Sequence, residues 1–211
     1  MLPLLCHLPD NFFENIYGFD ISWSRVKCAQ KFMQENKKGN INLFVGDLFN
    51  IPLADNSIDL VYTCHAIEPN GGKEKIALQE LYRVTKQYLI LMEPAYELAG
   101  DEAKNRMQMH GYVTELYKNA IELGYSVAEY SLYGMSANPL NPTGFMVIKK
   151  GKDNSKDNSQ NNFCCPLTKK PLDFINGAYY SNQSLLVYPV LDEIPCLTKD
   201  SAIVATKFGI K

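Results

Sequence analysis

Apolar and polar positions along the first 150 residues switch repeatedly between a period of two and a period near 3.6, and each switch marks an element. Ile16-Tyr17-Gly18-Phe19-Asp20 reads as a short strand ending in a carboxylate. Ser22 or Ser24 then stands where a helix N-cap belongs, and Val26, Ala29, Phe32 and Met33 share one face of a helix running to Asn36. Gly39-Asn40 supplies its stop. Ile41 to Val45 is the next strand, and Ile58 to Cys64 a third, apolar enough to be covered on at least one face. Lys73 to Val84 repeats at helical spacing through Ala77, Leu81 and Val84, and Tyr88 to Met92 is a fourth strand. Val113, Leu116, Ala120 and Leu123 predict one amphipathic helix over Met107 to Leu123, with Gly124 ending it. Two last strands, Ser126–Leu132 and Phe145–Lys149, flank a loop rich in Pro, Asn and Gly with no helix between them.

Alternating strands and helices imply a parallel sheet, because parallel strands need crossovers. The final pair has no crossover, so it is expected as an antiparallel hairpin at one edge. The predicted class is α/β, a mostly parallel sheet with an antiparallel edge strand. Gly151 to Asn162 carries Lys, Asp, Asn, Ser and Gln without one apolar residue, so it cannot bury surface and is expected to be a linker. It separates a domain over 1–150 from a small module over 163–211.

Composition narrows the function classes. Hydrophobic residues make up 46% and charged residues 21% of the 211 positions, which is the balance of a soluble globular chain. A formal charge of -2 and the lack of a basic, aromatic-studded stripe point away from nucleic acid. No apolar run approaches the roughly 20 residues needed to span a bilayer. Met1 to Leu8 is apolar but lacks a preceding basic segment, so it does not read as a signal peptide. Cysteines at 6, 28, 64, 164, 165 and 196 include three inside elements of the first domain, where packing is the expected role, and the compartment is read as reducing and cytoplasmic. His7, His65 and His110 show no metal-ligand spacing.

The candidate chemistry begins with two acids. Asp20 ends one strand and Asp47 follows the next, and acids at the carboxyl ends of adjacent parallel strands are how an open α/β sheet grips a nucleoside. Either alone is ordinary, as a helix cap or a turn former. Both together, at consecutive strand ends joined by a helix, are not.

The stretch from Phe44-Val45-Gly46-Asp47-Leu48 through Asn50-Ile51-Pro52-Leu53-Ala54-Asp55-Asn56-Ser57-Ile58-Asp59-Leu60-Val61 resembles the S-adenosylmethionine-dependent methyltransferases of the Rossmann-like class. Glu80-Leu81-Tyr82-Arg83-Val84 and Tyr88-Leu89-Ile90-Leu91 match that family's next helix and strand, with Thr85-Lys86-Gln87 in place of its usual Pro-Gly-Gly turn. The resemblance covers residues 4–150. It implies that Asp20 and Ile21 meet the cofactor ribose and that Asp47 and Leu48 meet its adenine. It places the His65–Gly72 loop and Glu93-Pro94 toward the methyl acceptor, with His65 as general base and Glu68 and Glu93 at the substrate. The family's first strand and Gly-x-Gly-x-Gly turn have no match here. Met1-Leu2-Pro3-Leu4-Leu5-Cys6-His7-Leu8 looks like the end of the helix that follows that turn, so an N-terminal truncation is expected ahead of a genuine remnant. A missing N-terminal segment or a homo-oligomer is the corresponding partner expectation, the remnant instead closing its sheet without that strand.

Residues 163–197 resemble the small zinc-ribbon activator subunits of tRNA and release-factor methyltransferases, on Cys165-Pro166-Leu167-Thr168-Lys169-Lys170-Pro171-Leu172 and Leu186-Val187-Tyr188-Pro189-Val190-Leu191-Asp192-Glu193-Ile194-Pro195. The four ligand positions would fall on Cys165, Thr168, Ser181 and Ser184, and one thiolate cannot make a tetrahedral zinc site. A degenerate, zinc-ribbon-like module without zinc is expected, leaning on the first domain through Tyr179, Tyr180, Leu185, Leu186 and Tyr188. The resemblances together imply S-adenosyl-L-methionine as cofactor and methyl transfer to a small-molecule or glycan-like acceptor. The alternative is a non-catalytic remnant acting as scaffold or adaptor. A nucleotide-sugar or dinucleotide binder ranks last, since the phosphate-binding turn it needs is also absent.

Overall fold

The computed structural model describes residues 15–36, 41–135, 138–151 and 162–208. Met1–Leu8, the Gly39-Asn40 stop and positions 152–161 of the expected linker lie outside the described residues. The chain divides into two compact units, Met1–Ala54 with Ser159–Lys211 and Asp55–Asn158.

In the first unit, β1 (Ile16–Asp20) and β2 (Ile41–Val45) pair in parallel, with Asp20 in register with Val45. The crossover between them is α1 (Trp23–Glu35), which buries Val26 and Met33. Phe19 and Phe44 stack with ring centroids 5.4 Å apart. Ser22 occupies the N-cap but makes no side-chain cap bond. Its own N–H donates to Asp20 Oδ1 at 2.8 Å, so the carboxylate turns the chain into the helix.

In the second unit the strand order is β3-β4-β6-β5, with β3 (Ile58–Cys64), β4 (Thr85–Pro94), β5 (Val127–Leu132) and β6 (Thr143–Lys149). β3 and β4 are parallel, and β6 is antiparallel to both of its neighbours. The antiparallel strand is therefore internal, and β5 forms the edge. The hairpin folds β6 back beside β4, where Leu89, Leu91, Met146 and Ile148 are all buried. Helix α2 (Glu74–Val84) covers this sheet with Ala77, Leu78, Leu81 and Val84. It enters β4 with no intervening loop. Thr85 Oγ1 donates back to Leu81 O at 2.7 Å, and Lys150 Nζ donates to Tyr82 O at 2.7 Å and Thr85 O at 2.9 Å.

The single helix expected over Met107–Leu123 is two helices, α3 (Asp101–Met109) and α4 (Leu116–Glu122). The break is made by contacts distant in sequence. Gly111 takes φ +66°, its carbonyl accepts from Gly71 N at 3.1 Å, Val113 N donates to Glu68 O at 3.0 Å, and Thr114 N donates to Glu74 Oε1 at 3.0 Å. Gly111 disfavours helix by roughly 0.8–1 kcal/mol relative to alanine, and each of these bonds adds roughly 0.5–1.5 kcal/mol net to the break.

The first unit closes with a small β module. β7 (Asp173–Ile175), β8 (Ala178–Ser181), β9 (Leu186–Tyr188) and β12 (Ile203–Val204) form one antiparallel sheet in the order β12-β9-β8-β7. β10 (Val190–Leu191) and β11 (Ile194–Pro195) form a separate hairpin. The module covers the edge of β2 away from β1. Cys196 bridges Val45 in parallel, and Leu197 N donates to Val45 O at 2.9 Å. Phe163 is the pin of this contact, edge-on to Tyr17 at 5.8 Å, Phe44 at 5.1 Å and Tyr179 at 5.3 Å. Of the expected contact residues only Tyr179 takes part in this ring cluster. Tyr188 lies wholly inside the module, and Leu185 is exposed. Covering an edge strand removes an aggregation-prone row of unpaired backbone groups.

Candidate active site

Asp20 and Asp47 leave the two parallel strands of the first unit at the same edge. Asp20 O accepts from Gly46 N at 3.1 Å, the last rung before the chains diverge. Asp47 Oδ1 accepts from Phe49 N at 2.9 Å, which closes a tight turn. Both carboxylates are half-buried. Asp20 Oδ2 meets Arg25 at 3.5 Å, but Arg25 is 78% exposed, so this pair contributes little. A carboxylate offers about four acceptor positions, so each acid keeps capacity for a ligand's hydroxyl or amine. Ile21 is 63% exposed beside Asp20, and Leu48 is half-buried beside Asp47. These residues fit the nucleoside part of S-adenosylmethionine. The glycine-rich turn that would meet its methionine part is not found among the described residues.

The second unit gathers a separate group at the carboxyl end of β4. β3 and β6 flank β4, so His65, just past β3, and Thr143, at the start of β6, reach the same end. His65 Nδ1 bonds Glu68 Oε2, and His65 Nε2 lies 2.9 Å from Thr143 Oγ1. The carboxylate can only accept, so Nδ1 is the donor in the first contact, while the Thr143 hydroxyl can serve Nε2 as donor or acceptor. Glu68 Oε1 accepts from Asn141 Nδ2 at 3.0 Å. The imidazole is 34% exposed while Glu68 is 14% exposed, so the ring faces solvent and its carboxylate partner does not. His65 takes φ +50°, a left-handed conformation that costs a non-glycine residue roughly 1–2 kcal/mol.

Glu93, which the resemblance put at the substrate, is 3% exposed, and its carboxylate is taken up by backbone donors. Its Oε1 accepts from Ala66 N at 3.0 Å, and its Oε2 accepts from Ile67 N and Glu68 N, each at 3.1 Å. Burial pushes the Glu93 carboxyl above its ordinary value, against the opposing pull of the Thr63 hydroxyl and these three backbone donors. Burial and the charges of Glu93 and Glu68 likewise push the neighbouring Cys64 thiol up, which disfavours its thiolate. Local sequence gave no sign of Thr143 or Asn141, because only the hairpin topology brings that Pro- and Asn-rich loop to His65.

The C-terminal module holds a third polar cluster. Two turns there are built alike. Lys169 N donates to Cys165 O and Leu185 N donates to Ser181 O, both at 2.8 Å. Lys169 and Leu185 both take left-handed backbone, at φ +56° and +57°. Between the turns, Cys165 Sγ lies 3.2 Å from Tyr188 OH and 3.6 Å from Ser184 Oγ, and Ser184 N donates to Ser181 Oγ at 3.2 Å. Burial alone would raise the Cys165 thiol, but hydrogen bonds from Thr168, Tyr188 and Ser184 outweigh it and lower it to about 6. Among the described residues no three His, Cys, Asp or Glu side chains gather as a metal site.

Comparison with known proteins places this chain beside methyltransferases. Residues 3–91 match the family described as a methyltransferase domain. The chain is 31% identical over 71 residues to demethylmenaquinone methyltransferase of Geobacillus sp. (strain WCH70), covering 34% of this chain and 30% of that protein. It is 37% identical over 68 residues to norajmaline N-methyltransferase of Rauvolfia serpentina, covering 32% of this chain and 23% of that protein. It thus matches less than a third of the length of either curated relative. A solved S-adenosylmethionine-dependent methyltransferase of Aquifex aeolicus superposes with a TM-score of 0.52 at 21% identity, over 70% of this chain and 74% of that one. The fold is that of the S-adenosylmethionine-dependent methyltransferases, a mixed α/β architecture. Among the described residues no helix is long and apolar enough to cross a membrane.

Proposed function

We propose that this chain takes part in S-adenosylmethionine-dependent methyl transfer to a small-molecule or glycan-like acceptor. The observation that carries the reading is the Asp20–Asp47 pair, set by a parallel ladder inside the segment that matches the methyltransferase-domain family. Asp20 with Ile21 holds the ribose, and Asp47 with Leu48 holds the adenine. The cofactor, when bound, supplies a methyl group on a positively charged sulfur. His65 takes the proton that an acceptor hydroxyl or amine loses, and Glu68 stabilises the imidazolium that results. Thr143 occupies Nε2 until an acceptor replaces it. Two relatives named for small-molecule methylation, of demethylmenaquinone and of norajmaline, support the acceptor class.

Calorimetric titration with S-adenosylhomocysteine tests the reading. Saturable heat and a thermal shift are expected. Neither heat nor shift would transfer support to the second reading, a non-catalytic scaffold. The module is best read as ribbon-like without zinc, with two matched turns closed around a thiolate and hydroxyls where a metal would sit. That reading is supported by the Cys165–Lys169 and Ser181–Leu185 geometry.

A further inference from the structure

Loop 65–68 carries both halves of the His65–Glu68 pair, yet Ala66 is exposed and His65 is left-handed. Ile67 is the one fully buried side chain of the loop, and Val113 N, Thr143 and Asn141 bond its other parts, so hydrogen bonds rather than apolar packing fix most of it. Three consecutive amides, of Ala66, Ile67 and Glu68, converge on a single buried carboxylate from the adjacent strand. Successive N–H groups turned inward in this way form a nest, the backbone arrangement that ordinarily captures an anion. Here the anion is the protein's own. His65 N is tied to the same strand through Met92 O at 2.9 Å.

We infer that Glu93 is a positioning residue: its carboxylate fills the 66–68 nest and thereby holds His65 and Glu68 in register with Thr143 and Asn141. The inference rests on His65 being the base, since only then does the loop's geometry govern turnover. A small displacement of a base from its proton costs rate far more than it costs binding. A glutamine at 93 can offer one carbonyl oxygen to Ile67 and Glu68, but its amide group then opposes the Ala66 N–H, donor against donor.

Amide exchange on the whole chain tests the nest without reference to methyl transfer. In the wild type, Ala66, Ile67 and Glu68 are expected to exchange as slowly as the β3–β4 ladder. In Glu93→Gln, exchange at Ala66 should rise by about tenfold or more while the ladder is unchanged. In Glu93→Ala, sodium acetate should restore protection at all three amides where equal sodium chloride does not, because acetate refills the vacated nest. Fast exchange at Ala66 in the wild type, or no response to acetate in a folded Glu93→Ala, would overturn the inference. On any acceptor the wild type methylates, Glu93→Gln should lower kcat by about tenfold or more with KM for the cofactor unchanged, and acetate should recover rate in Glu93→Ala. Equal loss in kcat and cofactor binding would mark Glu93 as merely structural. If the wild type turns over nothing, the exchange experiment still decides the nest while the methyl-transfer reading falls on its own.

Discussion

Gly46 donates its backbone N–H to the Asp20 carbonyl at 3.1 Å, one residue before Asp47 leaves the sheet. The separation of the two acids is thus set by a ladder rung and not by side-chain packing. Each acid also closes its own turn, on Ser22 N and on Phe49 N. Substitution to alanine therefore has two effects. Asp47→Ala and Asp20→Ala should each weaken S-adenosylhomocysteine binding by about 1–3 kcal/mol through a lost charge-assisted bond. Each should also lower folding stability by about 0.5–1.5 kcal/mol through the lost turn bond. Asp47→Asn keeps a turn acceptor and loses the charge, so calorimetry should find weaker binding with stability retained. Unchanged affinity in all three variants would remove the pair from the site.

Cys165 gives the module a pH signature. Its thiol is lowered from 9.0 to about 6 in the folded chain, while the hydroxyl of Tyr188, which burial and the Cys165 charge push up, remains a donor. A depressed acid stabilises the fold above its unfolded value and loses that stabilisation as pH falls through the folded value. Urea midpoints should therefore rise between about pH 6 and pH 9, by at most about 1.4 kcal/mol per unit. In Cys165→Ala this slope should vanish. Because Cys165 is fully buried, alkylation of the native chain should be slow despite the thiolate.

The same cluster bears on metal content. Purified protein is expected to carry no stoichiometric zinc, since Thr168, Ser181 and Ser184 supply hydroxyls where a tetrahedral site needs thiolates or imidazoles. Replacing all three with cysteine should create a site for one zinc, because the two turns already face one another across Cys165. Elemental analysis of both proteins checks this. One zinc in the unaltered chain would overturn the hydroxyl reading, and none in the triple variant would show that the resemblance to a ribbon is superficial.

Legibility in the sequence followed the range of the forces involved. Strands such as Ile16–Asp20, Ile41–Val45 and Ile58–Cys64 were readable to the residue, because alternation and turn residues are local signals. The break between α3 and α4 was not, since Glu74 and Gly71 impose it from forty residues away. The place of β6 was half legible. Its antiparallel sense followed from the missing crossover, while its insertion beside β4 depended on which strand buried Met146 and Ile148. Among the candidate residues, Asp20, Asp47 and His65 are legible as polar side chains at strand ends, and the structure places each at such an end within its own unit. Glu93 is legible as a strand-end acid, but its burial under the 66–68 amides is not, because sequence does not reveal whether a carboxylate points to solvent or inward.

Gly71 is a test of how tightly that region is packed. A Cβ there would stand 2.5 Å from Gly111 O and 2.7 Å from Tyr112 O, both backbone atoms that cannot swing aside. Gly71→Ala should therefore cost about 1–3 kcal/mol of stability, as overpacking does. It should also loosen the segment that Glu68 O holds through Val113 N. A denaturant midpoint within error of the wild type would mean that the two segments separate readily.

His65 supplies the test of chemistry as distinct from binding. If it accepts the acceptor's proton, His65→Ala should lower kcat by about 10²–10⁴ and leave S-adenosylhomocysteine affinity unchanged. Glu68→Gln should give a smaller loss, because glutamine still accepts from Nδ1 but no longer offsets the imidazolium charge. Thr143→Val separates two roles for the hydroxyl at Nε2. If the hydroxyl only fills the place an acceptor takes, turnover should stay within about threefold of the wild type, or rise. A loss as deep as that of His65→Ala would instead make Thr143 part of the proton path. Equal kcat in His65→Ala and the wild type would leave the imidazole a loop anchor, and methyl transfer would then proceed on acceptors already deprotonated, with rate rising with pH in proportion to the acceptor's ionised fraction.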